Sequence, residues 1–131
     1  MMQWDERYAT GEETIDSQHK LLFKFLNDLK RDILAGKSPH DFEDHIGFLS
    51  NYAKSHFCYE ESCMDRYQCP AAQKNKEAHR EFMEFYSAYE KKIKRKGYAP
   101  GDIAELCHFI EEWIVRHIQR IDGQLKPCIR S

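Results

Sequence analysis

The chain predicts an all-α fold: an up-down-up-down, left-handed four-helix bundle preceded by an N-terminal arm. Three observations lead there. Apolar residues recur in alternating steps of three and four through four long segments, the inward seam of helices packed at a small left-handed angle. Helix-boundary signals divide those segments with short connections, which make neighbouring helices antiparallel. Strand-type alternation is absent.

The elements follow in order. Residues 1–16 form the arm, and Asp16 reads as the first N-cap. The first helix, near 17–35, carries with its lead-in the seam Ile15, His19, Leu22, Leu26, Leu29 and Ile33, and Gly36 is its stop. Ser38-Pro39, an N-cap followed by proline at the first helical position, opens the second helix, near 39–67. Its seam is Phe42, Ile46, Leu49, Ala53, His56, Glu60, Cys63 and Tyr67. Cys69-Pro70 opens the third, near 70–96, with Ala72, Asn75, His79, Phe82, Tyr86, Tyr89 and Ile93. Ala99-Pro100-Gly101-Asp102 opens the fourth, near 102–122, with Ile103, Leu106, Ile110, Trp113 and His117, and a tail follows from Gly123. Residues 1–131 read as one domain without repeat or linker.

Composition narrows the function classes. With 20 Lys and Arg against 22 Asp and Glu, the net charge of −2 provides no general attraction for nucleic acid or an anionic membrane. No run approaches a membrane span. The opening MMQWDERYATGEET carries acids where a signal peptide needs an apolar region, so a cytoplasmic location is expected. Five cysteines without a C-x-x-C read as reduced thiols, not as a disulfide or zinc framework. Seven histidines remain to be explained.

Six seam positions are polar: His19, His56, Glu60, Asn75, His79 and His117. A lone histidine on an apolar face is ordinarily a hydrogen-bonded core residue. An interior carboxylate is harder to excuse, because burying an unpaired charge costs several kcal/mol. In an up-down-up-down bundle the start of the first helix lies beside the end of the second, the start of the third and the end of the fourth. All six residues therefore fall in one layer at one end. His56 and Glu60 are one turn apart, as are Asn75 and His79, so each pair can face a common centre. Imidazoles with a carboxylate suit Fe, Zn, Mn or Cu, whereas Mg and Ca prefer oxygen donors. So many donors point to two metals bridged by carboxylate, with Asp122 as the second bridge. Asp122 is five residues after His117 and needs a helix-end or π-type adjustment to face inward. Zinc-protease chemistry is unsupported, since H-E-x-x-H is absent. Of the paired Glu-x-x-His motifs that ferritin-like sites require, only Glu105…His108 occurs, off the seam. His40, His45 and His108 are expected at the surface, and Lys91–Lys96 reads as a solvated helix end.

These residues resemble the hemerythrin family, in particular its single-domain bacterial members, over almost the whole chain. Trp4 and Tyr8 look like the arm's aromatic signature, and Ile15-Asp16-Ser17-Gln18-His19 like the first ligand motif. His56-Phe57-Cys58-Tyr59-Glu60-Glu61, with Met64, looks like H-F-x-x-E-E-x-x-M. Trp113-Ile114-Val115-Arg116-His117-Ile118, ending at Asp122, looks like W-x-x-x-H-I-x-x-x-D. The resemblance implies a non-haem di-iron protein that binds dioxygen as carrier, store or sensor, with no covalent catalysis of its own; a monomer is expected. It implies that His19 and His56 hold the iron with an open position, that Glu60 and Asp122 bridge, and that His79 and His117 hold the second iron. Trp113, Ile114, Ile118 and Phe57 are the expected lining of an apolar dioxygen pocket.

The third family motif, H-x-x-x-H, is broken here: Asn75 stands where its first histidine belongs. The second iron then lacks an imidazole, and an amide oxygen is a weaker ligand for Fe(II). Weaker iron binding there, or an additional open position, is the expectation. Two alternative readings follow: a redox enzyme acting on peroxide, dioxygen or nitric oxide, and an iron-binding module with one metal.

Overall fold

Glu12, rather than Asp16, starts the first helix. In the computed structural model, which describes residues 2–130 with the side chains of 121–123 and 130 excepted, α1 runs Glu13–Leu34 and the Glu12 carboxylate accepts from Ile15 N at 2.7 Å. Asp16 lies inside α1 and turns back to the arm, accepting from Thr10 N and Thr10 Oγ1, both at 2.8 Å. A carboxylate one turn into a helix can serve either role, and Glu12 is the acid placed to reach the free N–H groups. The arm carries a short 3-10 turn, Glu6–Tyr8, and is tied to α1 by two hydrogen bonds between Met2 and Asn27. Trp4 and Tyr8 pack on Phe23 with ring centroids 5.9 and 5.7 Å away.

The remaining elements are α2 (Pro39–Arg66), α3 (Ala72–Arg95) and α4 (Pro100–Arg130). Ser38 caps α2 as expected, accepting from Asp41 N at 3.2 Å with Pro39 next in line. Gly36 follows the α1 C-cap Ala35 in the left-handed region, at φ 65°, where a side chain would be strained. Pro70 stays in the turn and α3 starts at Ala72, without a side-chain cap. The largest departure is in α4. It starts at Pro100 and continues past the expected end at 122, through Pro127, to Arg130. Leu125, fully buried, gives the reason: it packs with Ile15, Cys63, Met64 and Cys69, so the extra turns cover apolar surface at that end of the bundle.

Each helix packs against its neighbours in the order α1, α2, α3, α4 and back to α1, the arrangement expected of an up-down-up-down bundle. No strand occurs among the described residues. The main core contains Leu22, Leu26 and Leu29 of α1, Ile46 and Leu49 of α2, Phe82 and Tyr86 of α3 and Leu106 and Ile110 of α4. The buried Tyr86 hydroxyl donates to Ile46 O at 2.7 Å, which removes the penalty of an unpaired hydroxyl in an apolar core. The polar seam residues lie between this core and the smaller cluster around Leu125. No helix among the described residues is long and apolar enough to cross a membrane.

Truncating Leu125 to alanine removes the centre of the small cluster. It is expected to lower unfolding free energy by about 2–5 kcal/mol, read from urea denaturation. A loss under about 0.5 kcal/mol, typical of a surface change, would mean that the α4 extension contributes no packing.

Candidate metal centre

His19 on α1, His56 and Glu60 on α2, Asn75 and His79 on α3 and His117 on α4 are all buried in one layer. Glu60 is the centre, with 0% exposure. Its Oε2 lies 3.2 Å from His19 Nε2 and 3.3 Å from His56 Nε2. Its Oε1 lies 2.9 Å from His79 Nε2 and 3.3 Å from His117 Nε2. The donor atoms therefore form two triads, His19–His56–Glu60 and Glu60–His79–His117, each with all its atoms within 4.8 Å of one another. Asp122 is the one expected donor that cannot be placed in this geometry, because its side chain lies outside the described residues.

For His56 and His79, supporting contacts decide which ring nitrogen carries the proton. His56 Nδ1 donates to Gln18 Oε1 at 2.7 Å, so its Nε2 presents a lone pair, and that lone pair faces Glu60 Oε2. His79 Nδ1 donates to Glu61 Oε2 at 2.8 Å. His79 Nε2 and His117 Nε2 are only 2.9 Å apart, a separation that requires a shared proton or a shared cation. Burial holds His56 and His117 below the ordinary imidazole range, His117 at about 4, against the opposing pull of Glu60. Burial pushes the Glu60 carboxyl up, but the ring of four histidines outweighs it and holds the group well below the usual carboxylate range. The layer is thus an ionised carboxylate facing four imidazole nitrogens, two of which, on His56 and His79, present lone pairs because their protons are held at Nδ1. A cation in each triad satisfies those lone pairs and the carboxylate together, so the donor set fits a pair of metal ions.

Two aromatic rings hold the imidazoles in orientation. Phe57 stacks on His79, with centroids 4.0 Å apart and planes 12° apart, and Trp113 stacks on His117 at 4.3 Å and 16°. Phe57, Trp113, Ile114 and Ile118 also line a cavity of about 20 Å³ bounded by the rings of His19, His56 and His117. Leu22, Leu49, Ala53, Phe82, Tyr86 and Ile110 complete its wall. Those six were legible as seam residues on the core side of the polar layer, but nothing in the sequence marked them as lining a void. The cavity has room for about one small molecule.

Asn75 is 3% exposed. Its amide Nδ2 donates to Glu60 Oε1 at 3.1 Å and to Met64 Sδ at 3.0 Å, while Oδ1 has no partner. Gln18 went unremarked in the sequence as a partner of His56. A polar residue beside the first ligand position is the signal that could have found it. His40 and His108 are exposed, as expected of surface residues. His45 is half-buried and ties α2 to α1, with Nδ1 2.8 Å from Asp32 Oδ2.

A four-helix bundle that gathers buried histidines about one ionised glutamate is a cation-binding bundle. Residues 10–129 match the hemerythrin HHE cation binding domain, and the chain belongs to the hemerythrin family. It is 29% identical to the bacteriohemerythrin of Pseudomonas aeruginosa over 127 residues, 97% of this chain and 80% of that one. It is also 29% identical to hemerythrin subunit 1 of Golfingia vulgaris (96% and 91% covered) and to the myohemerythrin of Theromyzon tessulatum (95% and 90%). Membership implies non-haem iron binding.

Stability of the metal-free chain is predicted to fall with acid. His56 and His117 stay neutral when folded, while in the unfolded chain they take up protons below their ordinary value of 6.5. Unfolding free energy should therefore drop as pH falls from about 6.5 towards 4. Glu60, protonating near 4.5 only when unfolded, adds to the loss below that value. Urea midpoints at a series of pH values measure it, and a flat profile between pH 7 and 4.5 would contradict the proton assignments.

Proposed function

We propose that this chain binds dioxygen reversibly at a non-haem di-iron centre, as carrier, store or sensor rather than as an enzyme. The observation that carries the reading is the pair of donor triads sharing Glu60, with a small apolar cavity against the imidazoles of His19, His56 and His117. In this reading His19 and His56 hold one iron, His79 and His117 the other, and Glu60 and Asp122 bridge them. The iron pair supplies the electrons that dioxygen binding draws on. The residues do the rest. Gln18 and Glu61 fix the Nε2 lone pairs of His56 and His79 towards the centre. Phe57, Trp113, Ile114 and Ile118 keep water and protons out of the cavity, which slows loss of the bound gas. The five thiols suit a reducing, cytoplasmic setting.

Asn75 supports a second reading. Its amide donates to Glu60 Oε1, the oxygen that faces His79 and His117, where a third imidazole would otherwise serve the second iron. An iron held there by His79 and His117 would be bound more weakly, and the site would suit redox chemistry on peroxide, dioxygen or nitric oxide.

Iron analysis and the optical spectrum separate the readings. The carrier reading predicts two irons per chain and a visible band under air that disappears under argon and returns with air. One iron per chain, or irreversible bleaching, would contradict it. Replacing Asn75 with histidine is expected to slow chelator extraction of the more labile iron by about tenfold or more. Unchanged extraction would remove Asn75 as the cause of weak binding.

A further inference from the structure

Two cysteines that the polar layer does not use meet at its far side. Cys69 sits in the turn between α2 and α3, held by its N–H to Met64 O at 2.9 Å and by Ala72 N to its own carbonyl at 3.1 Å. The residue is 5% exposed. Cys128 lies in the last turns of α4, half-buried against the same apolar cluster, with Sγ donating to Gln124 O at 3.3 Å. The two side chains pack in the same small apolar cluster, and the Cys128 sulfur acts directly on the Cys69 thiol. The other cysteines differ in access or place: Cys58 is exposed on α2, Cys63 is buried inside the same small cluster, and Cys107 is buried in the main core.

We propose that Cys69 and Cys128 form a reversible disulfide, by exchange with a small-molecule disulfide, that clamps the end of α4 to the α2–α3 turn. Solvent access sets the order of events. The Cys128 thiolate attacks one sulfur of the small disulfide, whose S–S bond breaks and releases one small thiol. Cys69 gives its proton to water and attacks Cys128 Sγ, forming the internal S–S bond and releasing the second small thiol. Two protein thiols are oxidised and one small disulfide is reduced, so the electrons balance. Burial and the neighbouring sulfur push the Cys69 thiol up to about 12. It is therefore unreactive towards reagents in solution, and only the high local concentration of the Cys128 mixed disulfide engages it.

The clamp encloses α3 and α4 in one covalent loop and closes the apolar cluster of Ile15, Met64 and Leu125. Met64 Sδ in turn accepts from Asn75, so the clamp lies directly beneath the Glu60 layer. Formation of the disulfide is independent of what that layer binds.

The test equilibrates the full chain with graded ratios of reduced and oxidised glutathione, alkylates the remaining thiols and maps unreduced peptides by mass spectrometry. The expected product is one internal cross-link between Cys69 and Cys128, reversed by dithiothreitol, retained in Cys58→Ser and lost in Cys128→Ser. Amide hydrogen exchange over residues 124–130 should slow about tenfold or more in the cross-linked chain. The proposal is overturned if Cys128 accumulates only a glutathione adduct, if Cys69 pairs with Cys63, or if exchange over 124–130 is unchanged by the cross-link.

Discussion

The structure depends on one buried carboxylate. Glu60 has no solvent contact, and both of its oxygens are ringed by imidazole nitrogens from all four helices. Removing such a charge from water costs several kcal/mol unless partners compensate. The compensation comes from four side chains that a bundle seam would ordinarily fill with leucine or isoleucine. Hence the polar layer cannot be a local ornament of one helix. All four helices must keep their register for it to exist.

That requirement explains the neighbouring structure. The main core on one side is apolar and well filled, and it fixes the spacing of the helices. The small cluster on the other side closes the end, with α4 extended to supply Leu125. Between them the imidazoles are held by partners of two kinds: Gln18 and Glu61 at the Nδ1 atoms, and Phe57 and Trp113 against the ring faces. The two halves differ in support. His56 leans on a neutral amide and His79 on a carboxylate, and a carboxylate makes the imidazole the stronger donor. The half with the stronger support is the one in which Asn75 replaces an imidazole.

The fold and most of the layer were legible because both rest on periodicity. A histidine or glutamate at a seam position betrays itself by interrupting an apolar stripe, and antiparallel topology then assigns it to one end. What periodicity cannot see was missed. Asp16 and Glu12 are both acids near a helix start, and only the path of the arm decides which one caps. Gly123 suggested a tail, yet burial of Leu125 outweighs the poor helix propensity of Gly123 and Pro127. Gln18 lies off the seam, and its bond to His56 depends on how α1 and α2 face each other. The meeting of Cys69 and Cys128 depends on the same unforeseen extension of α4.

The central claim is that the Glu60 layer is completed by a cation. Anaerobic thermal unfolding with and without ferrous ion, for the natural chain and for Glu60→Gln, tests it most directly, since a ligand that binds only the folded state raises its unfolding temperature. Ferrous ion is expected to raise the midpoint of the natural chain and to leave that of Glu60→Gln where it was. Equal shifts in both chains, or a shift in neither, would contradict it.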